Sequence, residues 1–220
     1  RLLKAFPEAE IIARPRPSLT DYAKALRPHQ WSKNVLVFLP LIAGHYFESQ
    51  QIVAAILAFL CFSMAASSAY LINDLLDLPS DREHQRKRTR PFAAGTIPLK
   101  HGVGLAMLLV AVAFTLALTL PVKFVIVLSI YLAATLVYST VLKRKIVVDV
   151  VTLGGLYTLR VLAGITVIDA TYSQWLLMFC LFLFLGLAIV KRCSELVALE
   201  EQGKAATLGR GYRVADLRAL

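Results

Sequence analysis

Residues 73–95 read NDLLDLPSDREHQRKRTRPFAAG, and residues 53–72 before them read VAAILAFLCFSMAASSAYLI. The earlier stretch carries no charge over a length that, as a helix, crosses the ~30 Å hydrocarbon core of a bilayer. The later stretch is crowded with acids, amides and cations. A helix running on past Asn73 sets Asp74, Asp77 and Asp81 at i, i+3 and i+7, pointing the same way. Three like charges on one face repel each other unless a divalent cation sits between them. Oxygen-only ligands suit Mg²⁺, which is usually shared between a few carboxylates and a substrate's phosphates. Lys87, Arg88 and Arg90 follow at once and suit a diphosphate. The expectation is a membrane span whose end carries Mg²⁺–diphosphate chemistry, with Asp74, Asp77 and Asp81 as metal ligands and catalytic residues, and Asn73 beside them.

The rest of the chain agrees with a membrane setting. Of its 220 residues 58% are hydrophobic and 17% charged, against about half and a quarter in soluble domains. The net charge of +10 does not read as a nucleic-acid surface, because the basic residues occupy loops between apolar runs. Cys61, Cys180 and Cys193 have neither disulfide nor zinc spacing and read as small buried hydrophobes. The chain opens on Arg1, so we expect a segment of a longer polypeptide. Residues 1–17 hold three prolines and mixed charge and read as a linker from an upstream domain. Residues 18–33 begin with a Ser/Thr/Asp cluster that caps a short helix, with Tyr22 and Trp31 as interfacial anchors.

Six spans are expected, at about 34–47, 51–72, 102–120, 122–142, 146–168 and 174–190. The first is short for the hydrocarbon core unless residues from Arg27 onward enter the interface. Residues 191–220 read as a loop. Apart from Lys123 and Arg160, every one of the 24 lysines and arginines falls on one side of this topology. The bias places the N-terminal segment and the long polar loops in the cytoplasm, with the protein in the plasma membrane. The architecture is an all-α polytopic bundle around a cavity open to the cytoplasmic side, and membrane lipids are its surroundings.

Two ions lie inside an apolar run. Asp149 and Arg160 are eleven residues apart, too far along one helix to pair, so each needs another partner. Gly154, Gly155 and Gly164 allow close helix packing. Pro79 removes a backbone hydrogen bond after Asp77, which leaves Asp81 the weakest member of the acidic trio. Lys33, with Arg27 and His29, is an interfacial anchor by default and otherwise a grip for a lipid phosphate. Lys143-Arg144 is by default a helix stop, and Lys191 with Glu195 a surface pair at i, i+4.

The pattern Asn73-Asp74-x-x-Asp77-x-x-x-Asp81 resembles the first aspartate-rich motif of the UbiA superfamily of intramembrane prenyltransferases. LRPHQWSKN (26–34), KRTRPFAAG (87–95), YSTVLKR (138–144), DVVTLGGLYTLRVLAG (149–164) and KRCSE (191–195) resemble the branch containing decaprenyl-phosphate phosphoribosyltransferases. The likeness covers about residues 20–200. It departs from the usual pattern where a second DxxxD motif belongs. Lys191-Arg192-Cys193-Ser194-Glu195 stands there with a single acid, which counts against a second full Mg²⁺ site. The superfamily usually has nine spans, so three would lie beyond Leu220.

The resemblance implies substrate contacts at Tyr138, Lys143, Lys191, Arg192 and Glu195, and the intramembrane ions Asp149 and Arg160 join them as candidate substrate contacts. It also implies Mg²⁺-dependent transfer of phosphoribose from phosphoribosyl diphosphate to a polyprenyl phosphate, with diphosphate released. The alternative is prenyl transfer from a polyprenyl diphosphate to an aromatic or other small acceptor. A transporter with an acidic site is the reading from another class; the clustering of the acids at one cytoplasmic edge disfavours it.

Overall fold

The computed structural model of the chain describes residues 17–84, 87–171, 173–201, 212 and 214–218. The linker expected over 1–17 lies outside these residues except for Pro17. Ser18 caps the first helix, α1 (Leu19–Leu26): its hydroxyl accepts from the Thr20 amide, and its own amide donates to Asp21 at 3.0 Å. Arg27 then turns the chain in a left-handed conformation, φ 52°.

Five α-helices, not six, are long and apolar enough to cross a membrane among the described residues. They are α3 (Ser49–Leu76), α5 (Leu99–Ala117), α6 (Val122–Thr140), α7 (Val148–Val167) and α8 (Gln174–Glu201). The short α4 (Leu78–Glu83) follows α3. The span expected at 34–47 is instead a 3₁₀ segment, Pro28–Phe38, running into a one-turn helix, α2 (Leu39–Ala43). The 3₁₀ helix rises ~2.0 Å per residue, so the two pieces together extend about 30 Å. That stretched geometry removes the shortage of length. Its contacts follow the bundle from one end toward the other. Arg27 meets Asp74 near the C-terminal end of α3, Asn34 Nδ2 donates to Ser63 at 3.1 Å, and the Val37 carbonyl faces Gly164 near the far end of α7.

The polar loop expected over 191–220 is corrected at its start, because α8 continues to Glu201. At ~1.5 Å per residue α3 and α8 reach about 42 Å, longer than the hydrocarbon core. Their C-terminal turns therefore stand clear of it, and both carry ionic groups.

Helices α3 and α7 form the centre. The most apolar window of each is 56% buried, against 17–22% for α5, α6 and α8. The outer helices turn Met107, Leu108, Ile126, Phe179 and Phe182 outward, as lipid-facing surfaces do. Small side chains make the centre possible: Ala55, Ala58, Ala65, Ser67, Ser68 and Ala69 of α3 are buried. A Cβ on Gly164 would stand 2.1 Å from the Val37 carbonyl oxygen, and one on Gly154 would stand 3.3 Å from the Leu185 amide nitrogen. Gly155 has nothing within 4 Å, so of the expected packing glycines two carry the load. The Trp31 indole donates to Ser67 at 3.0 Å, and Ser67 donates to the Leu26 carbonyl at 2.8 Å.

An ionic clamp ties α6, α7 and α8. Asp149 is fully buried. It accepts from Arg192 Nε on one oxygen, and from Arg192 Nη2 at 3.1 Å and Tyr138 at 2.7 Å on the other. Arg192 also donates to Glu195 at 2.6 Å, so the surface pair expected between Lys191 and Glu195 is replaced by this one.

Gly164→Ala should lower the thermal midpoint in detergent by the equivalent of about 1–3 kcal/mol, because backbone rather than a side-chain tip blocks the new methyl. Gly155→Ala should leave it unchanged. Arg192→Gln alone, which leaves the Asp149 carboxylate without its cation, should cost about 3–5 kcal/mol; joint replacement by Asp149→Leu and Arg192→Met should cost far less. Thermal unfolding of the four variants checks both expectations.

Candidate functional site

The C-terminal ends of α3, α6 and α8 and the N-terminal end of α7 meet at one end of the bundle, and a cavity of about 760 Å³ opens there. Its mouth is lined by Asn73, Asp77, Lys87, Arg90, Lys143 and Arg144, and its inner part by Lys33, Tyr131, Tyr157 and Arg160. Eleven residues of α7 separate Asp149 from Arg160, so the cavity's floor lies about 16 Å below the level of Asp149. Among the described residues, six cations line the cavity, Lys33, Lys87, Arg90, Lys143, Arg144 and Arg160, and two acids oppose them, Asp77 and Glu83. A polar pocket of that sign in an apolar bundle collects anions.

The acidic trio does not share one direction. The α3 helix ends at Leu76, Asp77 caps it, and Pro79 takes the second position of α4. Asp74 and Asp81 share Arg90, while Asp77 pairs with Lys143. Asp74 is buried and accepts both Arg27 Nη2 (2.7 and 3.0 Å) and Arg90 Nη1 (3.2 Å). Asp81 is buried and accepts the same Arg90 Nη1 at 2.6 Å. Its other oxygen is enclosed without a hydrogen bond, with Lys87 Nζ 3.8 Å away. Asp77 alone of the three lines the cavity, paired with Lys143 at 3.1 Å. Asn73, one turn before it, lines the cavity too. Among the described residues no three His, Cys, Asp or Glu side chains converge on a preformed metal cage. Asn73 and Asp77, one turn apart, offer side-chain oxygens to the open space, and Ser80 and Glu83 line it as well.

Arg160 and Asp149 each find a partner from another element. Arg160 is held on the cavity floor. Its Nε donates to Asn34 Oδ1 (2.8 Å), Nη1 to the Leu156 carbonyl (2.6 Å) and Nη2 to Tyr131 (3.0 Å). The rings of Tyr131 and Tyr157 lie 4.9 and 5.2 Å from its guanidinium carbon. Lys33 reaches the cavity from the 3₁₀ segment.

Of the residues singled out from sequence, the fold brings Asn73, Asp77, Lys87, Arg90, Tyr138, Lys143, Arg160 and Lys33 to the cavity wall. Asp74 and Asp81 stand behind Arg90. Asp149, Arg192 and Glu195 form the clamp under Tyr138. Arg88 and Lys191 are exposed and outside the lining. Sequence reasoning missed Tyr131, Tyr157 and Asn34. Two carried a spacing signal: Tyr131 precedes Tyr138 by two turns, and Tyr157 precedes Arg160 by one. Asn34 carried none.

Comparison with known proteins identifies the architecture. A family model described as the UbiA prenyltransferase family matches residues 35–204. The chain is 38% identical to the decaprenyl-phosphate phosphoribosyltransferase of Mycolicibacterium smegmatis over 89% of its own length and 64% of that protein's. It is 34% identical to the nodulation protein NoeC of Azorhizobium caulinodans, with the same two coverages. It is 40% identical to the uncharacterized protein y4nM of Sinorhizobium fredii over 89% of the chain and 38% of that protein. The chain thus spans between 38% and 64% of the length of these relatives. In fold it is similar to a UbiA homolog from Archaeoglobus fulgidus bound to DMAPP and Mg²⁺ (TM-score 0.68, 22% identity, covering 83% of this chain and 66% of that one). It is also similar to a digeranylgeranylglyceryl phosphate synthase (TM-score 0.69, 20% identity, 84% and 66%). The helical membrane bundle and the family match over most of its length agree: the chain belongs to the UbiA prenyltransferase family.

Proposed function

We propose that this chain forms the catalytic cavity of a Mg²⁺-dependent intramembrane transferase. Its donor is phosphoribosyl diphosphate, its acceptor a polyprenyl phosphate, and its products the phosphoribosylated lipid and diphosphate. The observation that carries the reading is the cavity lining: among the described residues six cations against two acids, with the Asn73 and Asp77 oxygens at its mouth. We further propose that this mouth faces the cytoplasm across the plasma membrane, supported by the one-sided placement of lysine and arginine.

The residues fit a metal in a narrower way than three convergent carboxylates. Mg²⁺ commonly needs only one or two protein oxygens when substrate phosphates supply others. Asn73 and Asp77 offer that pair, and the enclosed Asp81 oxygen without a hydrogen bond is a further acceptor nearby. Bound there, Mg²⁺ would add positive charge beside the departing diphosphate. Lys143, Lys87, Arg90 and Arg144 stand around the same space and offset the negative charge that builds as the C1–oxygen bond breaks. An oxygen of the acceptor phosphate forms the new bond to C1. A phosphate acceptor is already anionic, so no side chain has to take a proton from it. Ala66, Ala69, Leu153 and Leu156 in the lining keep bulk water from competing for the carbon. Arg192 already takes both Asp149 and Glu195, so these two acids are engaged by a cation.

The full-length protein in membranes, given phosphoribosyl diphosphate, a polyprenyl phosphate and Mg²⁺, should release diphosphate and yield a lipid heavier by phosphoribose in mass spectrometry. Asp77→Asn should slow this by roughly 10²-fold or more. Product formed only from prenyl diphosphates would replace this reading with prenyl transfer. Solute flux without diphosphate release would replace it with transport.

A further inference from the structure

Residues 141–148 join α6 to α7 and carry Lys143 and Arg144 to the cavity mouth, yet no side chain among them is buried. Packing of its own side chains therefore does not set the course of this connection. Its backbone is strained at one point. Val147 has φ 68° and ψ −51°, and the Val148 amide donates across it to the Ile146 carbonyl at 2.8 Å. This is a three-residue turn of the strained kind, with a β-branched residue where positive φ is hardest to hold. The Val147 side chain is 61% exposed and cannot be what keeps it there. Tyr212, from the chain beyond α8, meets the turn: its hydroxyl accepts from the Val147 amide at 3.2 Å, across 65 residues of sequence. Tyr212 itself is firmly seated. It is 1% exposed and forms one cluster with Val150 of α7 and with Ala188 and Leu196 of α8. Leu217, from the 3₁₀ segment Val214–Arg218, packs on the same cluster. Strain of this sort persists where the surroundings over-determine it, and it gathers at functional sites. Here Arg144 and Lys143 stand three and four residues before it.

We propose that Tyr212 is a positioning residue for the cavity mouth: its hydroxyl holds the Val147 turn, and through it Lys143 and Arg144, where they meet a diphosphate. A second polar tie joins the connection to α3 through Lys143 and Asp77 at 3.1 Å. That tie ends on a carboxylate in the cavity wall, where an incoming ligand competes for it. The Tyr212 tie joins two neutral groups, and Tyr212 does not line the cavity, so a bound anion leaves it in place. The gain from one hydrogen bond and the cost of one strained residue are of the same order. Removing the hydroxyl therefore tips the balance, Val147 relaxes to negative φ, and the rotation swings the cationic turn that precedes it. The assignment rests on the transferase reading for the identity of the anion, and on the turn alone for the tie.

Tyr212→Phe keeps the buried ring and removes the hydroxyl. In the full-length protein in nanodiscs it should speed hydrogen exchange at the Val147 amide by at least roughly fivefold, with the thermal midpoint within about 4 °C of the wild type. Affinity for inorganic diphosphate in the presence of Mg²⁺ should fall roughly tenfold. Val147→Gly relieves the strain, because glycine takes positive φ without a steric penalty. In that background Tyr212→Phe should change diphosphate affinity by no more than about twofold. An unchanged affinity in Tyr212→Phe overturns the positioning role, whatever happens to exchange. An equal loss in both backgrounds also overturns it, since the hydroxyl would then act elsewhere than through the turn. If Tyr212→Phe alone does not fold, Val147→Gly should restore it, and a double variant that also fails sinks the proposal. A wild type that binds no diphosphate counts against the transferase reading; exchange at Val147 then decides the tie by itself, and an unchanged rate refutes it.

Discussion

A charge inside a hydrocarbon slab needs its opposite, a set of hydrogen bonds or a wet cavity, and this chain uses all three. Asp149 is enclosed in the bundle and held by the Arg192 guanidinium and the Tyr138 hydroxyl. That arrangement joins three helices at the end where the chemistry would occur. Without it the ends of α6, α7 and α8 have no polar reason to converge, since apolar side chains gain little from one another in lipid. The clamp fixes Tyr138, and with it the wall of the cavity.

The same constraint sorts the acids at the end of α3. Asp74 and Asp81 are buried and both pair with Arg90, with Arg27 as a second partner for Asp74. Asp77 is the one left to the cavity. Four charges therefore make a scaffold that holds Arg90 at the cavity edge, and a single carboxylate with its neighbouring amide offers oxygens to a ligand. The left-handed turn at Arg27 serves this scaffold, since it carries the guanidinium to Asp74 and over the Tyr70 ring at 5.2 Å. A non-glycine residue in that conformation costs about 1–3 kcal/mol, and two hydrogen bonds to a buried carboxylate offset it.

Depth comes from the 3₁₀ segment. An α-helix over Pro28–Ala43 would fall short of the membrane thickness and rotate its side chains differently. The stretched helix reaches across and presents Lys33 to the cavity, with Asn34 one residue on holding Ser63 and Arg160. Long 3₁₀ runs are uncommon because their hydrogen bonds are poorer. This one is braced by small residues on α3 and by Gly164, whose missing side chain lets the Val37 carbonyl approach.

Much of this was legible in the amino-acid order alone. Runs such as 53–72 have to be membrane helices, because apolar length and absence of charge are local properties. The basic residues sort to one side for the same local reason, and the spacing of Asp149 and Arg160 by itself rules out their pairing. The acidic motif also announced a site, and the likeness of NDLLDLPSD and its companion patches to one family pointed to the right fold. Direction was beyond reach. Helical periodicity put Asp74, Asp77 and Asp81 on one face, but partners distant in sequence, Arg27 and Lys143, chose which carboxylate faces inward. The choice of Arg192 over Lys191 for Glu195 and Asp149, and the meeting of Lys33 with Arg160, depend on which helices become neighbours. Sequence determined how many charges enter the bilayer and roughly where. Only the tertiary structure decided which of them cancel and which remain for a ligand, because cancellation depends on distances between segments that no local pattern encodes.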